Sequence, residues 1–367
     1  GSEIVKLTPF WHVKTAKRAW VDQQNDVTSK DIKLAHQENF VSVEHLKRYT
    51  TLGMATDQGK TSNIAGLAIM AEVTGKSIPE VGTTIFRPPY TPTAMGVFAG
   101  RAWGGEIRPT RRTPSHKWAT EHGAVFTEAG LWLRAQWYPK PGETHWRQSC
   151  DREVMQTRRS VGICDVTSLG KIDVQGTDAA AFLNKVYCNG FAKLPVGKVR
   201  YGLMLREDGH VMDDGTTARL GDLHYVMTTT TAAAGQVMRH LEFVHQGLKP
   251  DWDVRFTSVT EQWAQFAVAG PRTRDLLNGI LDAPMDEASF PFMGGGEVGS
   301  GGVAGRLFRI AFSGEHAYEI AVPARFGAAL FDLLVARAES MEGGAYGMEA
   351  LDVMRVEKGF ITHSEIH

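Results

Sequence analysis

Cysteine is scarce in this sequence, with three in 367 residues at Cys150, Cys164 and Cys188. The number is odd, the spacings are wide and no C-x-x-C pair occurs. Secreted domains stapled by disulfides are much denser in cysteine, and zinc ribbons need paired cysteines. We therefore expect three reduced, mostly buried thiols in a cytoplasmic protein.

An excess of charge of either sign is also missing. Lys and Arg together number 40 against 41 Asp and Glu, which gives a formal net charge of −1. Such a chain has no long-range field that attracts a polyanion, so a general nucleic-acid-binding surface is not expected. The balance leaves a small anionic ligand possible.

Long hydrophobic runs are absent as well. The longest apolar stretches, such as residues 63–73, are interrupted by glycine and polar residues, whereas a membrane-spanning helix needs about 20 apolar residues. The first residues, Gly1-Ser2-Glu3, have neither the basic nor the apolar region of a secretory signal. We expect no membrane segment.

The length of 367 residues suggests two or three domains, because domains usually contain roughly 100–200 residues. Consecutive prolines in Phe86–Pro92 predict an extended connector. Before it, capping residues and apolar spacing predict helices at 32–40, 42–47 and 63–74. Residues 1–86 are therefore expected to be a small, mainly helical segment with one early strand.

After the connector, strands and helices alternate. Each of four predicted strands is followed by an amphipathic helix. The strands are 170–175, 224–229, 265–269 and 318–322, and the helices are 177–187, 232–245, 272–281 and 325–338. Asp208-Gly209 predicts a tight hairpin turn and antiparallel pairing. These patterns predict an α+β fold.

Three motifs have weak functional signals. Gly294–Gly299 matches a dinucleotide fingerprint, but it leads into a predicted strand at 306–312 and is better explained as a loop. His363–His367 carries two histidines four residues apart at the chain end, which predicts no metal site. A group of tryptophans is expected to pack in the core rather than to bind a ring. They are Trp118, Trp132, Trp137 and Trp146.

Two carboxylates stand side by side in the segment Tyr201–Gly215. Neighbouring residues of an extended strand point to opposite faces, so one of Asp213 and Asp214 can face a pocket while the other is paired or solvated. Tyr201 lies on the partner strand of the predicted hairpin and can reach the same pocket. The alternative is an ordinary solvated turn.

Glu319 lies in the apolar strand Tyr318-Glu319-Ile320. Burying a carboxylate costs free energy unless it is paired, so the residue is either functional or neutralised. Its expected structural partner is an arginine such as Arg309 or Arg355.

These segments, with Gly162–Gly176 and Val268–Pro271, resemble the folate-binding fold of the glycine-cleavage T-protein. The motif Lys47–Asn63 and the connector Phe86–Pro92 further resemble the alpha subunits of heterotetrameric sarcosine oxidases. In that family a dinucleotide-binding half precedes a T-protein-like half.

The resemblance implies two regions. Residues 87–367 would form the T-protein-like folate-binding region, stopping before the final β domain of the family. Residues 1–86 would be the remnant of the preceding dinucleotide-binding half. No NAD fingerprint is expected in this chain.

The resemblance also implies site residues. Asp214 would be catalytic beside the reacting pteridine nitrogen, and Tyr201 would line the folate site. Glu319 would pair with the pteridine ring. Arg355 would lie near the site, and Phe312 stands where relatives often have tyrosine, which leaves ring stacking without a hydroxyl.

The implied function is one-carbon transfer to tetrahydrofolate. A flavin-containing beta subunit would oxidise sarcosine to an imine, which this chain would trap as 5,10-methylenetetrahydrofolate. FAD, FMN, NAD and the small subunits would belong to the full complex. The alternatives are a stand-alone aminomethyltransferase of glycine cleavage and a subunit-docking module with a vestigial folate site.

Overall fold

The computed structural model describes residues 8–15, 17–86, 91, 93–100, 106, 109–362 and 365. The chain divides into two compact units, Gly1–Ile107 and Arg108–His367. Of the connector predicted at 86–92, only Phe86 and Thr91 are among the described residues.

The first unit is mainly helical, as the sequence predicts. Its elements are β1 Trp20–Asp22, β2 Val27–Thr28, α1 Ser29–Gln37, α2 Val43–Thr50, α3 Asn63–Thr74, α4 Ile78–Val81 and α5 Met95–Phe98. Helix α1 begins with a capping box between Thr28 and Asp31. Helix α3 is followed by Gly75, whose φ is 68°. Residues with a side chain disfavour this left-handed conformation, so glycine suits the helix end. Two short antiparallel strands replace the single early strand that was predicted.

The first unit has its own small core. Its buried side chains come from β2 and helices α1 to α3, and include Val27, Ile32, Leu46, Leu67 and Met70. The three helices that were predicted for this region thus supply most of its core.

The second unit combines helices and three sheets, which confirms the α+β class. Its first elements are β3 Arg111–Arg112, α6 His116–Glu121, β4 Val125–Ala129, β5 Trp132–Trp137, α7 Trp146–Arg159, β6 Gly162–Asp165, β7 Gly170–Gln175, α8 Ala179–Val186, β8 Val199–Leu205, β9 Val211–Gly221 and β10 His224–Thr229. There follow α9 Ala234–Leu248, β11 Arg255–Ser258, β12 Trp263–Ala269, α10 Thr273–Asn278, β13 Gly295–Ser300, β14 Val303–Phe308, β15 Ala317–Pro323, α11 Gly327–Glu339, β16 Gly344–Ala345 and α12 Met348–Lys358.

The sheets are antiparallel except for two pairs. The five-stranded sheet has the order β11-β7-β10-β9-β8, and the six-stranded sheet has the order β13-β14-β15-β12-β6-β16. A three-stranded sheet has the order β3-β5-β4. Only the short pairs β16–β6 and β3–β5 are parallel among the described strands.

Helices cover the outer faces of the two larger sheets. Helices α8 and α9 pack on the five-stranded sheet, around Phe182 and Leu241. Helices α10 and α11 pack on the six-stranded sheet. The inner faces of the two sheets meet through Val199, Ala218, Val226 and Phe308. Polar residues on these inner faces therefore lie between the sheets.

The glycine-rich segment 294–299 was predicted as a loop, and that prediction is wrong. Gly295–Ser300 is the edge strand β13, paired antiparallel with β14. Backbone hydrogen bonds to β14 form without side chains, so glycines can build this strand. Some of them lie where neighbouring side chains leave no room for a Cβ atom. A Cβ on Gly295 would lie 2.7 Å from a ring carbon of Phe308. Strand β14 ends at Phe308, so Phe312 lies in the following turn rather than in the predicted strand 306–312.

Trp132 is buried and Trp118 packs against the core, as expected, whereas Trp146 is 42% exposed. The Trp118 ring stacks on His122 at 3.8 Å and meets Phe331 edge-on at 5.3 Å. The Trp137 and Trp146 rings lie 6.1 Å apart.

Candidate active site

Tyr201 and Asp214 meet on the β8–β9 hairpin that Asp208-Gly209 was predicted to close. The Tyr201 hydroxyl donates a hydrogen bond to Asp214 Oδ2 at 2.8 Å. Tyr201 pairs with Thr216 and Leu203 pairs with Asp214 in the register of the two strands. Both site residues share the face that Ala218 presents to the six-stranded sheet.

Asp213 lies on the opposite face, as strand alternation predicts. It is 2% exposed, and its carboxylate accepts hydrogen bonds from Thr230 N at 3.1 Å and Thr230 Oγ1 at 2.7 Å. Burial raises its pKa to about 6 against the opposing effect of those bonds. Asp213 therefore joins β9 to the end of β10 from the helix-covered side.

The two adjacent carboxylates differ in burial. Asp214 is half-buried, and the deeply buried member of the pair is Asp213. Tyr201 is 40% exposed. Partial burial and the hydrogen bond to Asp214 raise the pKa of Tyr201, so its hydroxyl stays protonated as a donor. A ligand can therefore approach this pair from solvent.

Glu319 lies on the inner face of the six-stranded sheet. It occupies β15 opposite Ala267 of β12 and Phe308 of β14, and it is 8% exposed. Glu319 Oε2 accepts a hydrogen bond from Gln265 Nε2. Burial raises the pKa of Glu319, while Gln265 and then Lys171 act in the opposite direction.

The arginine partners predicted for Glu319 are wrong. Arg309 pairs with Glu287, and the Arg355 guanidinium pairs with Asp352 and Glu365. The nearest polar partner is instead an amide, Gln265. It lies 54 residues earlier in the chain, and only the β12–β15 pairing brings the two side chains together.

Lys171 is a functional candidate that was missed. It is 3% exposed on β7, and its ammonium donates hydrogen bonds to Thr167 O at 2.8 Å and Leu169 O at 3.0 Å. Burial lowers its pKa to about 8, against the favourable charge of Glu319. Strand β7 alternates polar and apolar residues, a pattern that predicts a solvated Lys171, so the sequence carried no signal for its burial.

Phe312 and Arg355 are not joined to the other predicted residues by any hydrogen bond among the described residues. Phe312 lies in a turn and is 37% exposed. Arg355 is 5% exposed on α12, where it also donates to Phe360 O at 3.0 Å. Its bonds to Asp352, Phe360 and Glu365 hold the end of α12 in place. The contacts of Arg355 are therefore those of a structural residue.

A small cavity separates the inner faces of the two sheets. Its volume is about 20 Å³, and its polar lining includes Lys171, Thr216, Thr228, Gln265 and Arg306. Such a space holds about one water molecule. A ring the size of a pteridine needs more room than this cavity has.

Other kinds of site find little support in the part of the chain that the structure describes. All three cysteines are free, with Cys150 and Cys164 buried and Cys188 exposed. No cluster of three or more potential metal ligands occurs among those residues. None of the helices described has both the length and the apolar character for crossing a bilayer. Of the terminal motif His363–His367, only Glu365 is described.

Comparison with known proteins covers both units. Residues 115–366 match the model of the GCVT N-terminal domain, and residues 16–101 match the model of the sarcosine oxidase A3 domain. The chain is 53% identical to the sarcosine oxidase subunit alpha of Rhizobium meliloti (strain 1021) over 98% of its length. It is 45% identical to the sarcosine oxidase subunit alpha of Corynebacterium sp. (strain P-1) over 93% of its length. The matches cover 37% and 36% of those subunits, so the chain spans little more than a third of them.

A solved structure agrees with the fold. The glycine cleavage system aminomethyltransferase T from Bartonella henselae superposes with a TM-score of 0.59 at 24% identity. The match covers 68% of this chain and 63% of that protein. The T-protein-like fold and the resemblance to sarcosine oxidase alpha subunits are thus confirmed. The model of the GCVT N-terminal domain matches more than half of the residues, so the chain belongs to the GCVT N-terminal domain family.

Proposed function

We propose that this chain is the tetrahydrofolate-binding part of a sarcosine oxidase alpha subunit. In this role it would transfer the methylene carbon of the imine derived from sarcosine to tetrahydrofolate, forming 5,10-methylenetetrahydrofolate and releasing glycine. Its 53% identity to a subunit of that name and its GCVT N-terminal domain support the proposal. The match of residues 16–101 to the sarcosine oxidase A3 domain favours this function over a stand-alone aminomethyltransferase.

The observation that carries the proposal is the buried Glu319 carboxylate. Only its Oε2 atom takes part in a hydrogen bond among the described residues, and the donor is the neutral amide of Gln265. Glu319 is 8% exposed, and its other oxygen is free to accept a hydrogen bond from a ligand. The amino-pyrimidine edge of a pteridine offers two parallel N–H donors, which match the two oxygens of a carboxylate.

The residues present fit a reduced folate in chemical type. Tyr201 and Phe312 expose aromatic rings that can contact a ring ligand. The 20 Å³ cavity is too small for the ligand, so we place the binding region at the half-exposed edge of the inter-sheet space. Bound tetrahydrofolate would supply the nitrogen nucleophile for the one-carbon unit.

Asp214 would accept a proton during this transfer. It is half-buried, so its carboxylate can reach both ligand and water. Tyr201 would hold the carboxylate through its 2.8 Å hydrogen bond. The negative charge of Asp214 would also stabilise a developing cation. Asp213 has its own partner in Thr230 and would take no part.

The complete reaction would require partners. A flavin-containing beta subunit would produce the imine, and small subunits would complete the assembly. FAD, FMN and NAD would be held by the parts of the complex outside this chain. The free thiols accord with a reducing compartment such as the cytoplasm.

The test is the binding of tetrahydrofolate to a Glu319→Gln variant, measured by calorimetry. The amide turns an N–H toward a pteridine donor, at a cost of about 1–3 kcal/mol, or roughly 5- to 150-fold in Kd. The control is Glu242→Gln, because Glu242 is exposed on α9. Equal affinities of wild type and Glu319→Gln would reject the binding site. Absence of binding by the wild-type chain would favour the docking-module alternative.

A further inference from the structure

A cavity in the second unit is lined by three arginines. It is bordered by β3 and by the start of α11, and its volume is about 470 Å³. Its lining includes Arg111, Arg112, Trp132, Glu261 and Arg325. Small-molecule sites usually have volumes of roughly 300–1,000 Å³. The cavity therefore has room for a small ligand, and it shares no lining residue with the cavity between the two larger sheets.

The first of these arginines is held in place by its neighbours. Arg111 lies on the edge strand β3 opposite Trp132 of β5, and its guanidinium carbon is 5.6 Å from the centre of the Trp132 ring. Its Nη1 atom also pairs with Glu261 Oε1 at 3.0 Å. Trp132 is buried, so Arg111 stacks on a wall that the core fixes.

The other two arginines have no acidic partner in the part of the chain that the structure describes. Arg112 follows Arg111 on β3, and Arg325 lies just before α11, where its guanidinium is 4.7 Å from the centre of the Phe326 ring. Both are exposed. Three arginines and the single carboxylate of Glu261 line the cavity, so positive charges exceed negative ones there by two.

This excess of positive charge favours an anion. A solitary exposed arginine is ordinary at a protein surface, but guanidinium groups that share one concavity repel each other, and a bound anion offsets the repulsion. The cavity also touches Ala324 and Ala328 at the start of α11, where the helix dipole favours a negative charge.

A further carboxylate lies behind the cavity wall. Thr167 lines the cavity, and its backbone N–H donates to Asp165 Oδ1 at 2.9 Å. Asp165 Oδ2 accepts a hydrogen bond from Ser115 Oγ. Both oxygens are thus bonded within the protein, which leaves Arg112 and Arg325 for a ligand.

We propose that this cavity is a binding site for a small anion that carries two or more carboxylate or phosphate groups, held by Arg112 and Arg325. A planar guanidinium donates two parallel N–H bonds to either kind of group. Arg111 adds positive charge to the site, although its pairing with Glu261 neutralises part of it. The site is separate from Tyr201 and Asp214, and it does not depend on the function proposed above.

The test is calorimetric titration of the chain with two probes, citrate and inorganic pyrophosphate. Citrate reports carboxylate recognition and pyrophosphate reports phosphate recognition. In about 0.15 M salt, at least one probe should bind one to one with a Kd below about 1 mM. Arg112→Gln and Arg325→Gln should each raise this Kd about tenfold, because each removes a charge-assisted hydrogen bond.

Two further variants sharpen the test. Arg239→Gln is the matched control, because Arg239 is an exposed arginine of α9 outside the cavity, and it should bind as wild type. Glu261→Gln removes the carboxylate that competes for Arg111 and should lower Kd about threefold. All the substituted residues are exposed, so the variants should fold as the wild type does.

Three results would overturn the inference. One is the absence of saturable binding of either probe by the wild-type chain. Another is an equal loss of affinity in Arg239→Gln and Arg325→Gln, which would indicate attraction to the positive surface in general. The third is unchanged or weaker binding by Glu261→Gln, which would place the anion outside this cavity. None of these results bears on folate binding, because Glu319 does not line the cavity.

Discussion

The two polar groups on the facing sheets differ in burial. Tyr201 and Asp214 are partly exposed on a hairpin, and each is the other's hydrogen-bond partner. Glu319 and Lys171 are buried on separate sheets. Glu319 accepts from Gln265 of another strand, whereas Lys171 donates to carbonyls of the turn before its own strand. A group that exchanges protons needs access to water, whereas one that recognises a ligand by hydrogen bonds gains from the low dielectric of the interior. The comparison suggests proton transfer for the first pair and recognition for the second.

The largest expected effect tests the proton-transfer half of this comparison. In the assembled oxidase supplied with sarcosine and tetrahydrofolate, Asp214→Asn should lower methylenetetrahydrofolate formation about 100-fold, because an amide cannot accept the proton. Amine oxidation should persist and free formaldehyde should accumulate, measured by product analysis of both compounds. Asp213→Asn serves as the control and should leave the product ratio nearly unchanged. The reverse pattern would show that the face assignment of the two carboxylates is wrong.

A smaller effect is expected on the stability of the protein. It concerns Asp213, the buried neighbour of Asp214, whose role we expect to be structural. Burial raises the pKa of Asp213 from 3.8 to about 6. The folded state therefore binds more protons than the unfolded state between these values, and the free energy of unfolding should fall as pH rises from about 4 to about 6. Above pH 6 this contribution should be constant. Asp213→Asn removes the ionisation and should reduce that fall by about 2 kcal/mol.

Urea unfolding at pH 4, 5, 6 and 7 measures this difference. The control is Asp222→Asn, since Asp222 is exposed in the turn after β9. A pH profile for Asp213→Asn that parallels the wild type would mean that Asp213 ionises as freely in the folded chain as in the unfolded one. The contrast between the two adjacent carboxylates would then disappear.

The smallest effect distinguishes positioning by Tyr201 from direct chemistry. Tyr201→Phe keeps the ring but removes the 2.8 Å hydrogen bond to Asp214. Loss of one such bond costs about 1 kcal/mol, so the trapping rate should fall about fivefold with little change in folate affinity. Tyr225→Phe is the matched control, because the buried Tyr225 hydroxyl has no partner among the described residues. A fall of 100-fold in Tyr201→Phe would contradict a positioning role.

Local patterns in the sequence predicted most of the elements. Capping residues and apolar spacing identified α1 and α3, and the strand–helix order after residue 170 recurs in the fold. The Asp208-Gly209 turn predicted the hairpin that joins Tyr201 to Asp214. Strand alternation separated Asp213 from Asp214, because the period of two is a property of the extended backbone itself. The burial of the two was not predicted, since it depends on what packs against each face.

What the sequence by itself determined is therefore the local geometry: where helices and strands form, and which neighbours share a face. Only the tertiary structure decided the partners of Glu319. Gln265 reaches it from β12, and no local rule specifies which strands become neighbours. The glycines of β13 form a strand for the same reason. Glycine has a low strand propensity, but pairing with β14 supplies backbone hydrogen bonds that stabilise the strand. Cross-strand pairing depends on free energy summed over residues far apart in the chain, and that is why it became visible only in the folded protein.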